Sequence, residues 1–270
     1  MRAKCLMTLT AAFMMTLRVS ELSAQKEFAD AHQKLSEFLG RSSSRINDPA
    51  GRDKYLKELP SLTGAINTQM TSGILSYLNT TTTLSVNKLT LKIARALADH
   101  SFPAPGLAQA DGEVSIVPVP HQNAYAIAYD IGTCASCTTS WVEIAALRDD
   151  HWVITDHLDN PATNDAIHLA WVGPESSLLL AVYGIHWGDP HNGLDVRLYS
   201  VDNGFKQVWS SLNLSQGEIA IQGDQMTLKY WTAPTPWADT TKPYREEQQV
   251  FEVNNRQVKL LETKFPSPKK

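Results

Sequence analysis

The sequence predicts a mainly β fold preceded by a helical segment, and three observations carry this prediction. Apolar residues recur at three- and four-residue steps up to about residue 100, whereas they alternate along short segments after residue 112. All seven tryptophans lie between positions 141 and 237, and aromatic residues favour strands. The strand-like segments recur in groups of four with a spacing of about fifty residues. We therefore expect repeated four-stranded antiparallel units.

Residues 1–24 have the features of a secretory signal peptide. Arg2 and Lys4 precede an apolar run over residues 5–17, and small residues follow it. The run is too short to span a bilayer, and no later segment is apolar for long enough to do so. We expect cleavage after Ala24 or Gln25, a secreted or periplasmic protein, and no membrane span.

The charge of the mature chain argues against two classes of partner. Removing residues 1–24 leaves 21 basic and 27 acidic residues, a net charge of −6. A negative chain does not favour binding to nucleic acid or to an anionic membrane surface. The remaining length is enough for a substantial hydrophobic core without metals.

Residues 25–100 predict three amphipathic helices, and residues 101–112, with Pro103, Pro105 and Gly106, predict a linker. Pro60 is expected in the first turn of the second helix, where a proline is tolerated. The threonine run at 80–83 is expected to connect the second and third helices. The apolar faces consist of Phe28, Ala31, Leu35, Phe38 and Leu39; of Leu62, Ile66, Met70, Ile74 and Leu78; and of Val86, Leu89, Ile93 and Leu97.

Residues 113–265 predict a repeated β domain of three units. Tyr129, Tyr183 and Tyr230 are expected to end the second strand of each unit, and polar tight turns follow each third strand. The predicted strands are 113–119, 124–131, 140–147 and 151–157; 166–172, 177–185, 194–201 and 205–210; and 218–222, 226–232, 246–253 and 257–263. Such units resemble the blades of a β-propeller, although propellers have at least four blades. The alternative is an irregular β-sandwich.

The connections between the second and third strands of the units are predicted to be long and to lie at one end of the domain, because antiparallel strands return to the same end. They comprise residues 132–137 in the first unit, 186–191 in the second and 231–244 in the third. Binding residues concentrate in loops on a rigid scaffold. These connections are therefore the predicted functional region.

Cys134 and Cys137 are predicted to form a structural disulfide, because an even cysteine pair in an exported protein usually does. A redox motif is the alternative, but it needs a helix after the first cysteine to lower the thiol pKa, and the sequence predicts a strand. In the second unit, His186, Asp189 and His191 are ligand types for a divalent metal. The alternative is a polar turn around Pro190 without metal, so no cofactor is predicted outright.

Four aromatic residues form the predicted ligand-binding set: Trp187, Trp231, Trp237 and Tyr244. Their rings suit a glycan or a peptide, and the alternative is that they cover the end of the sheet.

These features favour an exported, non-enzymatic binding or scaffold protein whose ligand contacts come from the long loops. Each loop offers contact chemistry, and none offers a complete catalytic set. The alternative is a secreted hydrolase that acts on a polymer, assisted by a metal at His186, Asp189 and His191. A thiol oxidoreductase is a third reading. The sequence does not decide whether the chain is an enzyme.

Overall fold

The computed structural model describes residues 22–37, 49–81, 85–98, 114–134, 137–161, 167–186, 193–232 and 245–266. It contains three helices and three four-stranded antiparallel sheets, so the predicted mainly β fold with an N-terminal helical segment is confirmed. The chain divides into two compact units. The first consists of Met1–Gly112 with Ala145–Ile154, and the second of Glu113–Ile144 with Thr155–Lys270.

The helices are α1 (residues 22–37), α2 (Pro49–Thr80) and α3 (Val86–Ala98). Each buries an apolar stripe, as the periodicity predicted. The buried residues of the stripes are Phe28, Ala31 and Leu35; Ile66, Met70, Ile74 and Leu78; and Leu89 and Ile93. The ring of Phe28 lies so close to Gly73 that a Cβ atom there would be 3.0 Å from it, so α1 packs tightly on α2. No described helix is long and apolar enough to cross a membrane.

Pro60 is not in a first turn, and this prediction is wrong. The helix α2 begins eleven residues earlier, at Pro49, and Pro60 lies inside it. An interior proline removes one helical hydrogen bond. The hydroxyl of Thr63 donates to the carbonyls of Leu59 and Pro60 at 3.0 and 3.2 Å. The burial of Tyr55 explains why the helix extends before the proline, because that residue continues the apolar stripe.

Twelve strands form the three sheets, at nearly the predicted positions. The orders are β1-β2-β3-β4, β5-β6-β7-β8 and β12-β11-β10-β9. The strands are β1 (Val114–Pro118), β2 (Ala124–Cys134), β3 (Cys137–Arg148), β4 (His151–Asp159), β5 (His168–Val172), β6 (Leu179–His186), β7 (Gly193–Ser200), β8 (Lys206–Ser215), β9 (Glu218–Gln222), β10 (Gln225–Thr232), β11 (Arg245–Asn254) and β12 (Gln257–Lys264).

Tight turns join the third strand to the fourth in the first and third sheets. Asp149 and Asp150 both have positive φ, at 47° and 64°, as do Asn255 and Arg256, at 48° and 59°. Two consecutive residues with positive φ make the hairpin turn whose twist matches the strands. Aspartate and asparagine tolerate this conformation well, and Arg256 adopts it beside Asn255. The predicted turns after β3 and β11 are thus confirmed.

The second and third sheets pack face to face. Their shared core contains Leu179, Val196, Leu198, Met226 and Phe251, all of them buried. Trp209 of β8 meets the ring of Phe251 edge-on, with the ring centroids 5.1 Å apart. The other face of the third sheet, called the outer face below, carries polar residues on alternate positions of β10 and β11.

Candidate functional site

The first strands of the first two sheets, β1 and β5, run side by side in the same direction. At their beginnings, the backbone N–H of Leu169 in β5 donates to the hydroxyl of Ser115 in β1 at 2.9 Å. At their ends, the indole N–H of Trp171 in β5 donates to the carbonyl of Pro118 in β1 at 2.7 Å. Two contacts at matching positions fix the relative direction of β1 and β5.

The first strand of the third sheet, β9, follows the same direction. Just before β9 begins, a Cβ atom on Gly217 would be 2.6 Å from the Cβ atom of Leu194, which pairs with Ile185 near the end of β6. Just after β9 ends, the carbonyl of Gly223 accepts from the N–H of Gly173, which follows β5, at 3.0 Å. Hence β5 and β9 begin at one end of the packed sheets and finish at the other.

The strand ends that flank the three connections therefore lie at one end of the sheets, which we call the rim. The rim is defined by the pairs Cys134 and Cys137, His186 and Gly193, and Thr232 and Arg245. Each second strand runs toward the rim and each third strand runs away from it, because consecutive strands of each sheet are antiparallel.

The first connection is short, which corrects the expectation of three long connections. The strands β2 and β3 extend up to Cys134 and from Cys137, so only residues 135 and 136 separate them. Alternation of apolar and small polar residues continues past the predicted strand ends, and this allows the longer hairpin. Likewise Tyr129, Tyr183 and Tyr230 do not end their strands, which run on toward the rim.

Most residues of the predicted sites lie outside what the structure describes. This holds for Asp189, His191, Trp187, Trp237 and Tyr244, and for the side chains of His186, Cys134 and Cys137. The backbone places both cysteines at the tip of one hairpin and His186 at the end of β6. The disulfide and the metal site remain predictions. Linker residues 101–112 and residues 1–21 also lie outside the described part of the chain.

Trp231 is the member of the aromatic set that the structure describes. Its side chain is 38% exposed, and it lies one residue before the end of β10, beside the rim. Tyr230, the preceding residue, packs against the core shared with the second sheet. Because successive side chains of a strand point to opposite faces, Trp231 lies on the outer face of the third sheet.

A buried carboxylate with two titratable neighbours lies in the first sheet. Glu143 of β3 is fully buried, and its Oε1 accepts a hydrogen bond from the hydroxyl of Tyr129 at 3.2 Å. The Nδ1 atom of His157, in β4, is 3.6 Å from the same Oε1. The Nε2 atom of His157 lies 2.8 Å from Oδ1 of Asp159. Three adjacent strands thus supply a chain of polar groups that runs from the core to the surface.

This arrangement keeps His157 positively charged. The nearby carboxylate of Glu143 raises the pKa of His157 to about 9 against the opposing effect of burial, with Asp159 adding to the rise. The imidazolium therefore compensates a buried negative charge, which would otherwise be costly. A histidine with this pKa stays protonated between about pH 5 and 8. It is thus suited to structural charge compensation rather than to general-base catalysis near neutral pH.

A similar tyrosine and carboxylate pair recurs in the third sheet. The hydroxyl of Tyr230 donates to Oε1 of Glu247 at 2.9 Å, and Gln249 donates to the same oxygen at 2.9 Å. Burial, and then the hydrogen bond with Glu247, raises the pKa of Tyr230. In the second sheet the equivalent tyrosine, Tyr183, instead packs against the ring of His168, with centroids 5.4 Å apart. The repeat thus keeps the tyrosine but varies its partner.

The sequence did not predict the group formed by Tyr129, Glu143 and His157. One signal was present: Glu143 stands among apolar residues on both sides in β3, where a charged residue is rarely buried without a partner. The partners come from other strands, so their identity depended on the register.

Comparison with known proteins gives no family. No protein-family model matches the chain, and no curated protein sequence matches it.

Among the described residues, no group of three or more histidine, cysteine, aspartate or glutamate side chains is arranged to hold a metal ion.

Proposed function

We propose that this chain is an exported, non-enzymatic binding protein that contacts its ligand at the rim of its β domain. The single observation that supports it most is that the strand ends flanking all three connections lie at one end of the sheets. Segments distant in sequence are then able to contribute to one surface, as binding loops on rigid scaffolds do.

The scaffold supports this function by its rigidity. The second and third sheets share a buried apolar core, and two hydrogen bonds join β1 to β5. Loops that leave such a framework lose less conformational entropy on binding than loops on a mobile one. The disulfide that we propose between Cys134 and Cys137 would further restrict the first connection at the rim.

The packing of the sheets further suggests a propeller-like array of three blades. In support, β1 lies next to β5 and β5 next to β9, so that the first strands of the sheets are consecutive neighbours. First strands are the innermost strands of propeller blades. The polar outer face of the third sheet is consistent with an array that ends there rather than one that continues to a fourth blade.

Export and binding are tested in turn. N-terminal sequencing of the chain recovered outside the cytoplasm is expected to begin at Gln25 or Lys26. The same material is then applied to glycan and peptide arrays, and hits are titrated by calorimetry with the double variant Trp187→Ala and Trp237→Ala. As a control, Gln225→Ala changes an exposed side chain at the opposite end of β10 from the rim.

We expect at least a tenfold loss of affinity in the double variant and no change in the control. Equal affinity in the double variant and wild type overturns the rim as the binding surface. Absence of any ligand in both classes overturns the binding function. Turnover of a bound polymer that depends on added zinc and on His191 overturns the non-enzymatic assignment in favour of a hydrolase.

A further inference from the structure

We propose that the outer face of the third sheet binds a neutral glycan chain, with the sugar ring stacked on Trp231. Lys229, Glu246 and Gln248 supply the hydrogen bonds to its hydroxyls. The inference rests on the proposed function, because it names the class of ligand. It also extends the contact surface from the connections to the face of the sheet beside the rim. These four residues are called the Trp231 face.

The register of β10 and β11 brings the four residues together. Trp231 is directly opposite Glu246, and Lys229 is directly opposite Gln248. Residues opposite each other in antiparallel strands point to the same face, with Cα atoms about 4.5–5.5 Å apart. Residues two apart along a strand are about 6.8 Å apart. The Trp231 face is therefore a flat patch of roughly one to two sugar rings in size.

The polar groups of the Trp231 face are uncommitted within the described part of the chain. There, no side-chain hydrogen bond or ion pair involves Lys229, Glu246 or Gln248. All three, with Trp231, are at least partly accessible to solvent. Their donors and acceptors are therefore available to a ligand without the loss of existing bonds.

The alternate residues of the same two strands behave differently. On the inner face, Tyr230 and Gln249 both donate to Glu247 at 2.9 Å. Those groups satisfy one another and are half-buried. The inner-face groups therefore form a structural polar cluster, whereas the polar groups of the Trp231 face make no such bonds among the described residues.

The chemistry of the Trp231 face fits a neutral sugar chain. An indole ring offers a flat apolar surface to the C–H face of a pyranose, and a carboxylate, an amide and an ammonium group suit paired hydroxyls. Lys229 also lies directly opposite Glu218 of β9, so local charges are balanced. With a mature net charge of −6, an acidic polysaccharide would meet repulsion.

A peptide fits this surface less well. Extended peptides bind sheets by adding a strand to an exposed edge. The strands β10 and β11 are the two central strands of the third sheet, with β9 and β12 outside them. The Trp231 face therefore offers side chains but no unpaired strand edge.

The test titrates the exported chain with cellohexaose, chitohexaose and laminarin, and with a peptide hit from the array where one exists. The variants are Trp231→Ala, Trp231→Phe and Glu246→Gln. Glu252→Gln is the matched control, because Glu252 lies on the same face of β11 at the end away from the rim. Thermal unfolding of each variant verifies that folding is unchanged.

We expect roughly a tenfold or greater loss of glycan affinity in Trp231→Ala, a smaller loss in Trp231→Phe, and about a three- to tenfold loss in Glu246→Gln. The control is expected to bind as wild type. Glycan binding that survives Trp231→Ala but is lost on substitution of Trp187 and Trp237 overturns this inference and leaves the proposed function standing. Binding to peptides but not to glycans also overturns this inference and leaves the proposed function standing. Absence of binding to glycans and to peptides overturns both this inference and the proposed function.

Discussion

Substitution of His157 by glutamine removes the positive charge that compensates the buried Glu143. In the folded protein the pKa of His157 is raised from 6.5 to about 9, first by the nearby carboxylate of Glu143. A group with a raised folded pKa binds its proton more tightly in the folded state. Its stabilising contribution is therefore complete below about pH 6.5 and is lost as the pH rises through about 9.

The magnitude follows from the size of the shift and from solvent exposure. Without any reduction for solvent exposure, the pKa shift corresponds to a contribution of about 3 kcal/mol to the free energy of unfolding. The His157 side chain is 35% exposed, so solvent screening reduces this contribution to about 1–2 kcal/mol. We therefore expect His157→Gln to lower the free energy of unfolding by about 1–2 kcal/mol near pH 6.

The assay is urea unfolding followed by tryptophan fluorescence between about pH 6 and pH 9.5. The difference in the free energy of unfolding between wild type and His157→Gln is expected to shrink toward zero as the pH approaches about 9.5. His151→Gln, which changes an exposed histidine of the same strand, should keep the wild-type profile. A difference that stays constant across this range would refute the charge-compensation argument, as would an NMR titration of His157 with an ordinary pKa.

Four further predictions concern the scaffold. Gly173→Ala should destabilise the protein by about 1–3 kcal/mol in urea unfolding, because φ is +112° and the new Cβ would lie 3.2 Å from a carbonyl. Gly64→Ala should instead stabilise the protein by up to about 1 kcal/mol, because a Cβ atom at this position in α2 would have open space around it. Equal changes in the free energy of unfolding for Gly173→Ala and Gly64→Ala would contradict both predictions. Asn79→Ala should cost about 1–2 kcal/mol, since this side chain exchanges hydrogen bonds of 3.1 and 2.7 Å with the β4 backbone; Asn79→Asp, which keeps the acceptor, should cost less, and no loss in Asn79→Ala would count against this contact. A chain that lacks residues 1–24 should show no thiol reactive with maleimide until it is reduced, and reduction of Cys134 and Cys137 should lower its free energy of unfolding by about 2 kcal/mol; two reactive thiols before reduction would rule out the disulfide.

The strands were predictable because their signals are local. The alternation of apolar and polar residues predicted all twelve strands. Turn residues such as Asp149 and Asn255 indicated the hairpins in which two consecutive positive φ angles are needed. The stripe of Ile66, Met70 and Ile74 likewise gave the core of α2. It did not predict the beginning of the helix, because Pro60 is a strong local stop signal, whereas the helix extends back to Pro49 and buries Tyr55.

The polar cluster of the first sheet was not predictable, because its members come from three strands. Glu143 is recognisable as an anomaly in an apolar strand, but its neighbours Tyr129 and His157 follow only from the pairing register. Trp231 fell within both the predicted strand 226–232 and the predicted connection 231–244, and the structure places it in β10, on the outer face of the third sheet.

Hydrogen exchange of the purified chain, with and without a saturating oligosaccharide or peptide, tests the rim as the binding surface most directly. We predict protection in segments that contain residues 132–139, 184–194 and 230–246, with no change at the turns of the opposite end, around residues 223 and 255. Protection confined to those opposite turns would contradict the account.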